Sequence, residues 1–78
     1  MQKIDRVILE ICSKSRAVLG ADILTSPRTS YFRKDYLRTH TDLLVRIGLI
    51  EIVVTPLHDG AYYTITEAGR KALKGESK

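Results

Sequence analysis

The longest periodic stretch of the chain is two-faced. From Tyr31 or Phe32 to Ile47, the residues Tyr36, Leu37, His40, Leu43, Leu44 and Ile47 recur at the three-and-four spacing of one helical side. Lys34, Asp35, Arg38, Thr39, Asp42 and Arg46 fall on the other side. Such a helix must lay one side on a core and leave the other in water. Thr29 or Ser30 stands where it can cap the first amides, and Gly48 supplies a stop. Directly after that stop comes Ile50-Glu51-Ile52-Val53-Val54-Thr55, β-branched and alternating, with Ile50, Ile52 and Val54 to one side. Pro56 to Gly60 reads as a turn, with Asp59-Gly60 its tightest signal, and Ala61 to Ile65 returns as a second strand presenting Tyr63 and Ile65 to the same side. The chain must therefore seat one amphipathic helix against a short hairpin.

The rest of the sequence supplies the platform. Ile4, Val7, Ile8 and Ile11 mark one face of a first helix over Ile4 to Lys14, with Cys12 at its edge. Leu9 falls outside that stripe and reads either as an ordinary exposed leucine or as a contact between two copies. Residues 16–19 can add a short strand, and Gly20 to Thr25 is a brief helix stopped by Ser26-Pro27. Pro27 to Ser30 is a turn. Thr66 caps a last helix over Glu67 to Leu73, with Glu67 in its first turn and Arg70, Lys71 and Lys74 toward its end, as the helix dipole favours. The expected fold is mainly α with a small β-hairpin (α+β): three helices as core, a hairpin, and a short C-terminal helix. One domain over residues 1–75 is expected, with 76–78 as a disordered tail.

Composition narrows the function more than the fold. A chain of 78 residues has a thin core, and its one cysteine excludes an internal disulfide or a cysteine-based zinc site. No segment has the roughly 20 apolar residues of a membrane span, and the first residues lack the apolar run of a signal peptide, so a cytoplasmic protein is expected. Thirteen Lys and Arg against nine Asp and Glu give a formal charge of +4, a balance that suits an anionic partner. A phosphate-cradling glycine loop, a metal-ligand cluster and a paired acid and base are all missing from the sequence. A non-enzyme without metal, cofactor or evident small-molecule ligand is the expectation. His40, on the apolar side of its helix, reads as a satisfied, partly buried histidine, Cys12 as core or edge packing, and Tyr36 and Tyr63 as core.

Two motifs carry a resemblance. Leu44-Val45-Arg46-Ile47-Gly48-Leu49-Ile50-Glu51 resembles the L-x-x-x-G-L-I-E junction between recognition helix and first wing strand in winged helix-turn-helix regulators. Tyr63-Thr64-Ile65-Thr66-Glu67-Ala68-Gly69 is similar to that family's Y-x-L-T-x-x-G exit from the wing. Leu37, Leu43 and Leu44 sit where short archaeal winged-helix proteins carry core leucines. The resemblance covers Ile4 to Leu73 and implies a sequence-specific double-stranded-DNA-binding regulator of transcription, with the third helix in the major groove.

On that reading Arg38 reads guanine, Thr39 a thymine methyl or a phosphate, and Lys34 and Arg33 reach phosphates. Arg28, Thr29, Ser30 and Tyr31 in the turn, and Tyr62 on the hairpin, are further candidates for phosphate contact. The wing tip departs from the family in having no Lys or Arg between Pro56 and Ala61, so His58 is its one possible cation. A homodimer on a pseudo-palindromic site is expected, joined through Leu9 of the first helix or through the last helix. The rival reading is a winged helix that docks on a protein without binding DNA, using Val45, Val53 and Leu57 as exposed apolar residues. A ligand-sensing regulator is a third.

Overall fold

The computed structural model describes residues 2–54 and 61–76. Its elements run α1 (Lys3–Ser13), β1 (Val18–Leu19), α2 (Gly20–Thr25), a 3₁₀ turn (Pro27–Thr29), α3 (Lys34–Arg46), β2 (Ile50–Val54), β3 (Ala61–Ile65) and α4 (Glu67–Glu76). The strands form one antiparallel sheet in the order β1-β3-β2, with Val18 opposite Tyr63 and Ile50 opposite Ile65. The architecture is the expected α+β winged helix, with β1 adding a third strand to the hairpin.

The buried core draws on α1, α2, α3 and all three strands, with Leu73 of α4 packed against it. Ile4, Ile8, Leu9 and Cys12 of α1 meet Val18, Ile23, Leu37, Leu44, Ile50 and Ile65. This corrects the expectation for Leu9, which is 0% exposed and can be neither a solvent-facing leucine nor a surface joining two copies. The buried stripe of α1 is Ile4, Asp5, Ile8, Leu9 and Cys12, so Val7 and Ile11 lie half-buried at its margin. The helix is turned on its axis relative to the apolar spacing: it carries apolar residues around more of its circumference than the core covers, and the buried arc takes in Leu9 and Asp5 in place of Val7 and Ile11.

The helix α3 is turned in the same way. It buries Leu37, His40, Thr41 and Leu44, while Tyr36, Leu43 and Ile47 are substantially exposed. Tyr36 and Leu43 are therefore not the core residues the sequence suggested. The N-terminus also differs: α3 starts at Lys34, its N-cap is the extended Arg33, and no side chain caps it. Thr29 and Ser30 stay in the preceding 3₁₀ turn, which Ser26 caps by accepting from the Arg28 amide at 3.2 Å.

The far end of α3 closes as the L-x-x-x-G-L-I-E motif requires. Gly48 has φ +83°, the left-handed geometry that favours glycine. Its N–H donates to the Val45 carbonyl at 3.1 Å, and the Leu49 N–H donates to the Leu44 carbonyl at 3.0 Å, the paired bonds of a Schellman stop. The second motif docks on the first. The Thr66 hydroxyl donates to the Gly48 carbonyl at 2.6 Å and accepts from the Gly69 N–H at 3.0 Å, while the Thr66 N–H donates to the Leu49 carbonyl at 3.0 Å. Gly69 is buried there, and a Cβ on it would stand 2.2 Å from the Leu49 carbonyl oxygen.

Backbone against backbone cannot yield as a flexible side chain would. Gly69→Ala is expected to destabilise the fold by about 1–3 kcal/mol, the range for overpacking, lowering the melting temperature by about 4–8 °C per kcal/mol. Thermal denaturation followed by circular dichroism checks this; an unchanged melting temperature contradicts the close approach.

Candidate nucleic-acid interface

Because Leu37, Thr41 and Leu44 hold one side of α3 against the core, its opposite side is fixed in solvent. Lys34, Asp35, Arg38, Thr39, Asp42 and Arg46 are all exposed there, as their spacing implied. The orientation is pinned from α1. His40 Nδ1 lies 2.7 Å from Asp5 Oδ1, and both groups are nearly buried. The Tyr36 hydroxyl donates to Gln2 Oε1 at 2.9 Å, and its ring meets His40 edge-on with centroids 4.4 Å apart. His40 is thus the satisfied core histidine expected from sequence. Its partner Asp5 was not foreseen, although a carboxylate between Ile4 and Leu9 facing a histidine on an apolar helix side was a usable signal.

The exposed cations differ in how free they are. Lys34 and Arg38 make no hydrogen bond or ion pair with any described residue. Arg33 Nε lies 3.5 Å from Asp35 Oδ1 in a fully solvated pair. Arg28 is bound through Nη2 to the Glu10 carboxylate, which also accepts from Arg6 Nε at 3.1 Å. The Arg28 hydrogen bond, with help from Arg6, holds the Glu10 carboxyl below its ordinary pKa. This α1–turn connection is one that sequence reasoning missed, since the two residues are 18 apart.

The remaining candidates divide by burial. Thr29 is 1% exposed, and its hydroxyl lies 2.6 Å from the Ile23 carbonyl and 3.0 Å from the Ser26 carbonyl. It is corrected to a structural residue. Pro27 stands four residues after Ile23 and has no N–H to offer that helical carbonyl, so Thr29 satisfies it instead. Ser30 is exposed and donates to the Pro27 carbonyl at 2.8 Å, and Tyr31 is 92% exposed. Thr39 is exposed, and its hydroxyl donates to the Asp35 carbonyl at 3.0 Å. Tyr62 is half-buried on β3 between Leu19 and Val53. His58 and Leu57 lie outside the described residues. Of the apolar residues expected at the surface, Val53 is exposed, whereas Val45 packs against the core.

The paired helices α2 and α3, closed on one side by a β2–β3 wing, define a winged helix. Solved structures with the same fold are transcription regulators. A PadR family transcription regulator from Clostridium difficile R20291 matches with a TM-score of 0.83 and 18% identity, over 97% of this chain and 84% of that one. RosR of H. salinarum matches with a TM-score of 0.80 and 22% identity, over 97% of this chain and 70% of that one. Bacillus subtilis PadR in complex with operator DNA matches with a TM-score of 0.80 and 20% identity; this chain spans 96% of its own length but 45% of that protein. At such identities the likeness is one of fold. No family model and no curated protein matches the chain.

The Glu10 cluster has a pH signature. A carboxyl whose pKa is lowered on folding adds stability above its unfolded value of about 4.5 and loses it as pH falls through the folded value. Glu10→Gln is expected to cost up to about 1 kcal/mol at pH 7, the scale of exposed ion pairs. The difference from wild type should vanish below the folded pKa. Urea denaturation at several pH values checks it, and a pH-independent difference contradicts the ion pair.

Proposed function

We propose that this chain is a double-stranded-DNA-binding transcription regulator that lays the N-terminal half of α3 in the major groove. One observation carries the reading: Lys34 and Arg38 stand exposed, unpaired among the described residues, on a helix whose rotation the core fixes. An α-helix fits the major groove, and Arg38 has the donor fork that matches guanine O6 and N7. The Thr39 methyl suits a thymine methyl. Lys34 and Arg33 reach phosphates, with Ser30 and Tyr31 at the rim, Arg28 beside them through its outward edge, and Tyr62 and His58 on the wing side. The solved complex of the Bacillus subtilis PadR neighbour with operator DNA supports the choice of partner.

Such a footprint is small. Two copies on a pseudo-palindromic site, with half-sites about 34–36 Å apart, are the simplest route to specificity. With Leu9 in the core, α4 is the helix left from the two considered for the pairing surface. The rival reading, a winged helix that docks on a protein, is favoured by one observation: Tyr36, Leu43 and Ile47 form an exposed apolar stripe along α3.

A salt titration of duplex binding separates the two. DNA binding predicts log affinity falling with log salt at about −0.9 per phosphate contacted. Arg38→Ala is expected to lose about 1–3 kcal/mol of discrimination at one base pair, read by selection from random duplexes with both proteins. Identical sequence profiles would remove Arg38 as a base reader, and no salt-dependent duplex binding at all would favour the docking module.

A further inference from the structure

Beside the exposed face of α3 lies a second feature that DNA contact alone does not explain. A cleft of about 400 Å³ opens between α2, α3 and β3. Its walls are mostly apolar: Leu19, Ala21, Ile23, Leu24, Ala61 and the ring of Tyr63. Gly20 makes room for that ring, since a Cβ there would come within 3.1 Å of Tyr63 Cε2. The volume and the apolar lining are those of small-molecule sites, which add a few convergent polar groups to fix orientation.

The polar groups here are specific. Arg38 and Asp42 both line the cleft from α3. They are opposite charges at i, i+4 in the weaker order, with the cation N-terminal; no ion pair joins them, and neither side chain bonds any described residue. Asp42 nevertheless faces the cavity, close enough to Tyr63 that its charge, after burial, helps to hold that hydroxyl above its ordinary pKa. Thr41 also lines the cleft, its hydroxyl already given to the Leu37 carbonyl at 2.7 Å. The wall thus offers a donor from Arg38 next to an acceptor from Asp42. A carbonyl beside an N–H on one edge of a flat ring answers that order, and a charged ligand does not, because one positive and one negative group already balance.

We propose that this cleft binds a neutral planar ring carrying a lactam-type edge, its carbonyl on Arg38 and its N–H on Asp42, and that occupancy withdraws Arg38 from DNA. The second half rests on the DNA-binding reading, and the first does not. The probe is 2-quinolone, a bicyclic lactam, titrated into the full chain without DNA and followed by amide shifts in ¹⁵N spectra. Shifts are expected at Gly20, Ala21, Leu24, Asp42 and Ala61. Asp42→Ala should weaken 2-quinolone about tenfold, the loss of a hydrogen bond to a charged group, while naphthalene, which lacks the amide edge, binds both proteins equally. Ala21→Phe, at an exposed position, should fill the cleft and abolish both.

No shifts at these residues, or equal 2-quinolone affinity in wild type and Asp42→Ala, overturns the site. Duplex affinity unchanged at saturating 2-quinolone overturns the coupling to Arg38. If the chain binds no duplex even without the probe, the DNA-binding reading fails and the coupling with it, while the shifts still decide the cleft.

Discussion

The fold is tied at one crossing, where the end of α3, both strands of the wing and the start of α4 meet within a few residues. Gly48 turns the chain, the Leu49 carbonyl receives Thr66, and Gly69 lets α4 press against that carbonyl without a side chain between them. Thr66 does two jobs with one hydroxyl, donating to Gly48 and accepting from Gly69. The two motifs that look independent in sequence are therefore the two sides of a single backbone contact. In a domain this small, with a thin core, such a contact helps to set the angle between α3 and the wing.

From that crossing, α3 runs back to a second fixed point on α1. The Asp5–His40 and Gln2–Tyr36 contacts sit along the first half of the helix, while Leu44 and Leu49 anchor its other end. With both ends held, the helix has little freedom to roll. The placement of Arg38 and Asp42 toward the cleft, and of Thr39 and Asp35 toward open solvent, follows from this and not from any interaction those residues make themselves.

Much of this was legible in the chain. The order of elements, the α2 span, the Gly48 stop and the polar side of α3 follow from periodicity and from residues with strong local preferences. Which apolar residues would be buried was less legible. Both α1 and α3 carry apolar residues around more of their circumference than the core covers, so spacing alone could not show which arc faces inward; Leu9 went in, and Leu43 and Ile47 stayed out. Thr29 was misplaced for a different reason. A threonine in a polar turn looks available, and only the three-dimensional position of the Ile23 carbonyl reveals its occupation. The ties of Asp5 to His40 and of Glu10 to Arg28 join residues 35 and 18 apart, beyond the reach of local pattern.

The short β1 strand has a mechanical consequence. It pairs with β3 at the centre of the sheet and passes into α2 with no intervening residue, Leu19 belonging to one and Gly20 to the other. A displacement of β3 at Tyr62 or Tyr63 therefore meets the start of α2 within two residues along the chain.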